Sequence, residues 1–372
     1  MPIKSKNLML LPVIAFVLLL LAGLVVSVLS LKAVGEAEWR ELKDPQKILS
    51  GESTRRFTKL LNQHFLLGTS FNQIERGIQW NLTGDYGPSV RAGCADWLFL
   101  ADELTVHEAR ARSAQFRADL AMRLDASLKA RGIKLLMVVV PDKTRIEAAH
   151  LCDLNRPVSF ESRVLNWQDA LKRQGIATLD LTQALQSTPG ECYYRSDTHW
   201  NETGSLAAAK SVAATLATLH WAALSPAGEV ALNSAQVGRP GDLVHLAGLD
   251  GLPAFLRPEV EQAQVTVVPA VEVASDDLFG DAGVPGIALI GTSYSRNSNF
   301  VPFLARSLGE PVANLAKDGG DFSGAAIAYF AGSTFRDNPP KVVVWEIPER
   351  VIEMPVKQAE QQWFDTLAKG AL

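Results

Sequence analysis

Several chemistries leave no mark on this chain. Its 372 residues contain only three cysteines, Cys94, Cys152 and Cys192, with no Cys-x-x-Cys pair and no zinc-ligand spacing. No Gly-x-Gly-x-x-Gly opens a helix after a strand and no Walker lysine follows a glycine-rich loop, so nucleotide binding has no support. Lysine and arginine form no run and the formal net charge is −4, which argues against nucleic acid as a partner. Net charge leaves room for a local basic patch that meets a neutral or anionic polysaccharide. Gly-x-Ser-x-Gly is missing too: Gly291-Thr-Ser-Tyr-Ser295 ends in serine, which excludes an ordinary α/β-hydrolase elbow. There is no internal repeat and no low-complexity segment. The sequence asks for no metal and no cofactor.

One long apolar run is present. Leu8 to Leu31 carries no charge, and as a helix at ~1.5 Å per residue it would span roughly 36 Å, enough for the hydrocarbon core of a bilayer. The apolar region of a cleaved signal peptide is shorter, ~7–15 residues. Val28-Leu-Ser30 is a weak cleavage signal, and no cysteine follows for a lipoprotein. The expectation is a retained inner-membrane anchor over 8–31, a cytoplasmic stub over 1–7, and the bulk of the chain in the periplasm. The positive-inside signal is faint, with Lys4 and Lys6 before the run and Lys32, Arg40 and Lys43 after it. Residues 32–75 read as an amphipathic juxtamembrane segment in which Thr54–Phe65 is helical.

A single oxidising-compartment disulfide with one free thiol is the simplest use of three cysteines. Cys152–Cys192 is the expected pair, since that crosslink would steady the loop just after Cys192.

From residue 90 onward strands and helices alternate. Ile133–Val140 is an uninterrupted β-branched run, as in a strand covered on both faces of a parallel sheet. It ends at Pro141-Asp-Lys-Thr-Arg145, which places Lys143 at the C-terminal end of a strand, either facing ligand or in a solvated loop. Helix Val164–Gln174, strand Ile176–Asp180, an alanine-rich helix from Thr203 to about Leu219, and strands Gly286–Ile290, Val312–Ala316 and Lys341–Ile347 continue the pattern. It predicts a doubly wound α/β sheet. Residues 220–285 are Pro/Gly-punctuated and read as an irregular insertion or lid, His220 and His245 within it as structural, and 353–372 as a tail.

Two stretches carry chemistry. Tyr193-Tyr-Arg-Ser-Asp-Thr-His-Trp-Asn201 sets Asp197 two residues before His199. A carboxylate beside an imidazole orients the ring and stabilises its charged form, so that the ring can take a proton from a nucleophile. The same pair can be a loop or capping arrangement, or two metal ligands. Gly291-Thr-Ser-Tyr-Ser295 stands where the strand Gly286–Ile290 should turn, and a serine there is either a nucleophile or a helix N-cap.

Trp97-Leu-Phe-Leu100, Val138-Val-Val-Pro-Asp-Lys143, Asp197-Thr-His-Trp200, Gly291-Thr-Ser-Tyr-Ser295 and Val343-Val-Trp-Glu-Ile-Pro-Glu-Arg350, in this order, resemble blocks of the alginate O-acetylation proteins AlgJ and AlgX. The resemblance spans roughly residues 90–350, and the N-terminal anchor is similar to the AlgJ-like branch. It implies an SGNH-hydrolase-like domain over 76–352 in permuted order, with aspartate and histidine before serine. It further implies Ser293 as nucleophile, His199 as base and Asp197 as the orienting acid. Thr292 departs from the Gly-Asp-Ser of general SGNH enzymes. The Ser293 N–H is one candidate oxyanion donor, with Tyr294, Arg296 and Asn299 as further oxyanion or substrate candidates. The implied activity is O-acetyl transfer to an exopolysaccharide such as alginate or cellulose through an acetyl-serine. An acetylesterase or a silent scaffold of a secretion complex would use the same fold. The implied partners are the polysaccharide, a membrane-bound O-acyltransferase as acetyl donor, and other exopolysaccharide acetylation and secretion proteins.

Overall fold

The computed structural model describes residues 5–32, 34–65, 68–224, 233–271 and 285–370, with side chains of 12–32 and 74–83 within the first helices. The expected stub over 1–7 lies outside these residues, apart from the backbone of Ser5–Asn7.

The chain divides into two compact units. The first comprises residues 1–83 with Gly251–Arg257. It holds helices α1 (Ser5–Leu31), α2 (Glu36–Leu42), α3 (Pro45–Leu49), α4 (Glu52–His64) and α5 (Gly68–Thr83). In α1 the stretch Pro12–Leu31 has mean hydropathy 2.9, long and apolar enough to cross a membrane, and it is the one such helix among the described residues. Its side chains are almost all exposed, as a lipid-facing helix requires.

The second unit, 84–250 with 258–372, is built on strands. A short antiparallel pair, β1 (Val90–Ala92) and β2 (Leu98–Leu100), precedes helix α6 (Arg110–Lys129). Then come β3 (Lys134–Val140), α7 (Lys143–Ile146), α8 (Arg163–Lys172), β4 (Ala177–Asp180), α9 (Thr182–Gln186) and α10 (Glu202–Thr218). β5 (Asn233–Arg239), α11 (Asp242–Leu246) and β6 (Glu261–Val267) follow. The chain closes with β7 (Ile287–Ile290), α12 (Phe300–Leu308), β8 (Val312–Asn314), α13 (Gly324–Ala331), α14 (Ser333–Asp337), β9 (Val342–Pro348) and α15 (Gln358–Ala368).

Five strands form an all-parallel sheet in the order β4-β3-β9-β7-β8. Alternate side chains divide between its faces with the period of two that strand geometry imposes. Leu135, Met137, Val139, Ile290, Trp345 and Ile347 pack toward α6, α8, α13 and α15. Leu136, Val138, Val140, Leu289 and Val344 pack toward α10 and α12. Both faces are dry, which explains the unbroken apolar runs of β3 and β9. The chain winds outward from β3 to one edge and from β7 to the other, with β9 between them, so the strand order reverses at β3, β9 and β7. Ligands of such sheets bind beyond the carboxyl ends at that reversal. The fold is a doubly wound parallel α/β sheet.

Three sequence expectations change. The disulfide joins Cys94 to Cys152, not Cys152 to Cys192. The Cys94 N–H donates to the His150 carbonyl, which brings the two segments side by side, while Cys192 is fully buried with its thiol on the Leu185 carbonyl. The bond closes 58 residues, so Cys94→Ser is expected to cost about 2–4 kcal/mol in urea unfolding, with Cys192 alkylated only after denaturation. The 353–372 segment contains α15, whose Trp363 and Leu367 join the core. There Glu360 pairs with buried Arg117 at 2.9 Å. In the 220–285 segment, β5 and β6 form an antiparallel hairpin in the register Arg239↔Glu261, and His245 pairs with Asp250. Its stretches 225–232 and 272–284 lie outside the described residues.

Candidate active site

The nucleophile turn grows directly from β7. The strand ends at Gly291, where an added Cβ would lie 2.4 Å from Glu346 Oε2, so only glycine lets the chain pass this carboxylate. Thr292 caps the 3₁₀ turn Ser293–Arg296, its hydroxyl accepting from the Tyr294 N–H. Glu346, on neighbouring β9 and fully buried, accepts from the Thr292 N–H at 2.7 Å, the Thr292 hydroxyl at 2.9 Å and the Ser295 hydroxyl at 2.8 Å. Burial raises its pKa, and the hydrogen bonds from Thr292 and Ser295 oppose that rise. Ser295 is thereby engaged beneath the turn, whereas Ser293 is half-buried at its mouth.

The second stretch lies between α9 and α10. Tyr193 and Trp200 form an isolated antiparallel bridge, pinching 194–199 into a tight loop. Within it Asp197 Oδ1 accepts from the His199 N–H at 2.9 Å and lies 2.6 Å from His199 Nδ1. With a carboxylate at Nδ1 the ring proton resides there, leaving the Nε2 lone pair free. Nε2 lies 2.8 Å from Ser293 Oγ, across 94 residues of sequence. Burial pushes the Asp197 pKa up. The hydrogen bond and charge of His199, and then the Arg239 guanidinium, outweigh it and hold the carboxyl well below the usual carboxylate range.

The remaining sequence candidates fall into two groups. Lys143 is fully buried and donates to the carbonyls of Leu98, Arg195 and Asp197 at 2.6, 2.8 and 3.0 Å. Burial lowers its pKa to about 8, against the pull of Glu103 and Asp197. Tyr294 is also buried, its hydroxyl donating to the Thr198 carbonyl at 2.8 Å and its ring edge-on to His199 and Trp200. Both brace the Asp197 loop. Asn299 instead donates to Glu202 Oε1 and the Thr266 carbonyl, and Arg296 is exposed beside Asp318 at 3.5 Å. Arg296 ends the 3₁₀ turn on its solvent side, and the left-handed pair Ser298 and Asn299 carries the Asn299 side chain away to start α12.

Arg239 and Asp242 were not singled out by sequence reasoning. Arg239 Nε donates to Asp197 Oδ2 at 2.9 Å, and Asp242 accepts from the Thr198 N–H at 2.7 Å. The signal available was Gly238-Arg-Pro-Gly-Asp242, a rigid turn with a charge at each end. Asp197, His199 and Asp242 bring ligand atoms within 4.8 Å of one another and are the residues that could hold a cation. A cation there would have to displace the Nδ1 proton and face the Arg239 guanidinium, so the donor set fits a hydrogen-bonded relay better than a metal.

The chain has relatives among known proteins. Residues 90–349 match the family described as SGNH hydrolase-like domain, acetyltransferase AlgX. The chain belongs to that family. It is 30% identical over 334 residues to "Probable alginate O-acetylase AlgJ" of Pseudomonas fluorescens, covering 87% of this chain and 84% of that protein. It is 30% identical over 258 residues to the alginate biosynthesis protein AlgX of Pseudomonas syringae pv. tomato, covering 68% of this chain and 53% of that protein. Among solved structures, the O-acetyltransferase domain of Pseudomonas putida AlgJ superposes with a TM-score of 0.62 at 25% identity, over 76% of this chain and 99% of that domain. Pseudomonas aeruginosa AlgX gives 0.53 at 25% identity, over 76% of this chain and 67% of that one.

Proposed function

We propose that this protein is a membrane-anchored O-acetyltransferase that places acetyl groups on hydroxyls of alginate, with the second unit in the periplasm. The observation that carries the reading is the Ser293 Oγ–His199 Nε2 separation of 2.8 Å, with Asp197 on the far side of the ring. The naming of its relatives as alginate O-acetylases supports the acceptor.

In the first half-reaction Ser293 Oγ attacks the donor's acetyl carbonyl while His199 Nε2 takes the hydroxyl proton. The Ser293 N–H begins a helical turn, where such groups have no intrahelical acceptor, and serves as one oxyanion donor. As the carbonyl re-forms, the donor's leaving group departs with the proton from Nε2, and acetyl-Ser293 remains. In the second half a sugar hydroxyl gives its proton to Nε2 and attacks the ester, the acetyl group moves to the sugar, and Ser293 recovers its proton. A membrane-bound O-acyltransferase is the expected donor partner, kept near by α1.

Full-length protein in detergent, given an acetyl-ester donor and oligomannuronate or cello-oligosaccharide, tests the reading by mass spectrometry. Acetylated oligomannuronate that vanishes in Ser293→Ala supports it. Free acetate alone, with no acetylated sugar, would make the protein an esterase. Wild-type turnover by Ser293→Ala, or stoichiometric metal with activity lost on chelation, would overturn the serine mechanism.

A further inference from the structure

The hairpin β5–β6 sends side chains to both halves of the site. Opposite strand ends grip the 195–199 loop. Glu261 accepts from the N–H groups of Arg195 and Ser196 at 2.9 and 3.1 Å, and its register partner Arg239 reaches Asp197. Gly241 passes so close to Ser196 that an added Cβ would lie 1.8 Å from the carbonyl oxygen. Asp242 holds the Thr198 N–H and hydroxyl at 2.7 and 2.5 Å. From the same guanidinium, Nη2 donates to Asn297 Oδ1 at 3.2 Å, and Asn297 Nδ2 donates to the Ser293 carbonyl at 2.9 Å. One arginine therefore links the outer oxygen of the acid to the backbone of the nucleophile.

We propose that Arg239 is a positioning residue that holds Asp197 and the Ser293 turn in register, so that the His199 ring stays aimed at Ser293. The inference rests on the acetyl-serine reading above. Its physical content lies in what remains without the guanidinium. Asp197 Oδ2 would keep only the Asp242 N–H, at 3.4 Å. The Asp242 carboxylate, 3.6 Å from His199 Nδ1, would then compete for the ring, and turning toward it takes Nε2 off Ser293. Among the described residues, the other titratable groups around the pair include Tyr194 against the guanidinium, Tyr294 at the ring, Lys143 at the Asp197 carbonyl, and Glu261 beneath the loop. None of them replaces the lost charge on Oδ2.

The test compares full-length wild type, Arg239→Gln, Arg239→Lys and Asn297→Ala, reading acetylation of Ser293 and steady-state kcat and donor KM. In Arg239→Gln, kcat is expected to fall roughly 100-fold, the order a displaced reacting group costs, with the donor KM unchanged. Arg239→Lys keeps the charge but not the fork and should rescue kcat to an intermediate value at the same KM. Asn297→Ala, which cuts the link to Ser293, should lower kcat about tenfold at an unchanged KM. Arg239→Gln with wild-type kcat, or wild-type turnover by Asn297→Ala should Arg239→Gln fail to fold, would overturn the inference and leave the serine mechanism standing. Absence of acetyl-Ser293 in the wild type would instead remove the mechanism itself.

Discussion

His199→Ala is expected to reduce acetyl transfer by roughly 10⁴–10⁶-fold while leaving the second unit folded. Among the described residues the ring is the only group within hydrogen-bonding distance of Ser293 Oγ that can take its proton: Nε2 is 2.8 Å away, and the carboxylate lies behind it on Nδ1. A neutral serine is a poor nucleophile, and the sugar hydroxyl needs the same base, so losing the ring impairs both half-reactions. Ser293→Ala should fall to a similar level, and the double variant no further, because residues acting as one unit are not additive. Folding is expected to survive. His199 makes edge contact with Tyr294, but the loop is held mainly by the Tyr193–Trp200 bridge and the three carbonyls on Lys143. Rates with a soluble acetyl ester, beside thermal unfolding of the same samples, check both halves of the statement. A folded His199→Ala protein that acetylates Ser293 at the wild-type rate would require a different base.

The parts legible in the sequence were those written in local pattern. β3 and β9 are continuous apolar runs because both faces of the sheet are covered, and α10 begins where Asn201 caps it by accepting from the Gly204 N–H. The pairing of the Asp197 loop with the Ser293 turn was legible from a resemblance and from each stretch lying at a strand end or loop. What escaped was long-range. Nothing near Arg239 in sequence announces a carboxylate 42 residues away, and its β5–β6 hairpin is short and exposed, with little alternation to betray it. The disulfide escaped for the same reason: three cysteines fix no pairing until His150 and Cys94 are seen to share a hydrogen bond. Arg296 and Asn299 lay at the right sequence distance from Ser293, but Arg296 ends the 3₁₀ turn exposed beside Asp318 and a left-handed pair of residues sends Asn299 into α12.

Glu346→Leu is expected to disable the enzyme from underneath. The glutamate is one strand away from the nucleophile and contacts no reacting atom, yet three donors of the turn end on it, from Thr292 and Ser295. Leucine has a comparable volume and would leave them buried without an acceptor, at about 1–3 kcal/mol each. The turn would have to open to water to satisfy them. Opening it moves Ser293 off Nε2, and a displacement of about 1 Å there costs on the order of 100-fold in rate. Glu346→Gln keeps one acceptor oxygen, and the two hydroxyls can rotate to accept from its amide, so a milder loss is expected. Gln also exposes the charge. Burial raises the Glu346 pKa above the ordinary glutamate range, so the folded protein binds this proton more tightly than the unfolded chain. The stability linked to that proton is full below the unfolded pKa and is lost as pH rises through the folded one. Glutamine does not titrate. The deficit of Glu346→Gln relative to wild type should therefore be largest in acid and shrink toward neutral pH, as paired melting curves would show. A deficit that grows with pH would mean that the carboxylate is ionised more readily in the fold than in water, with the three donors outweighing burial.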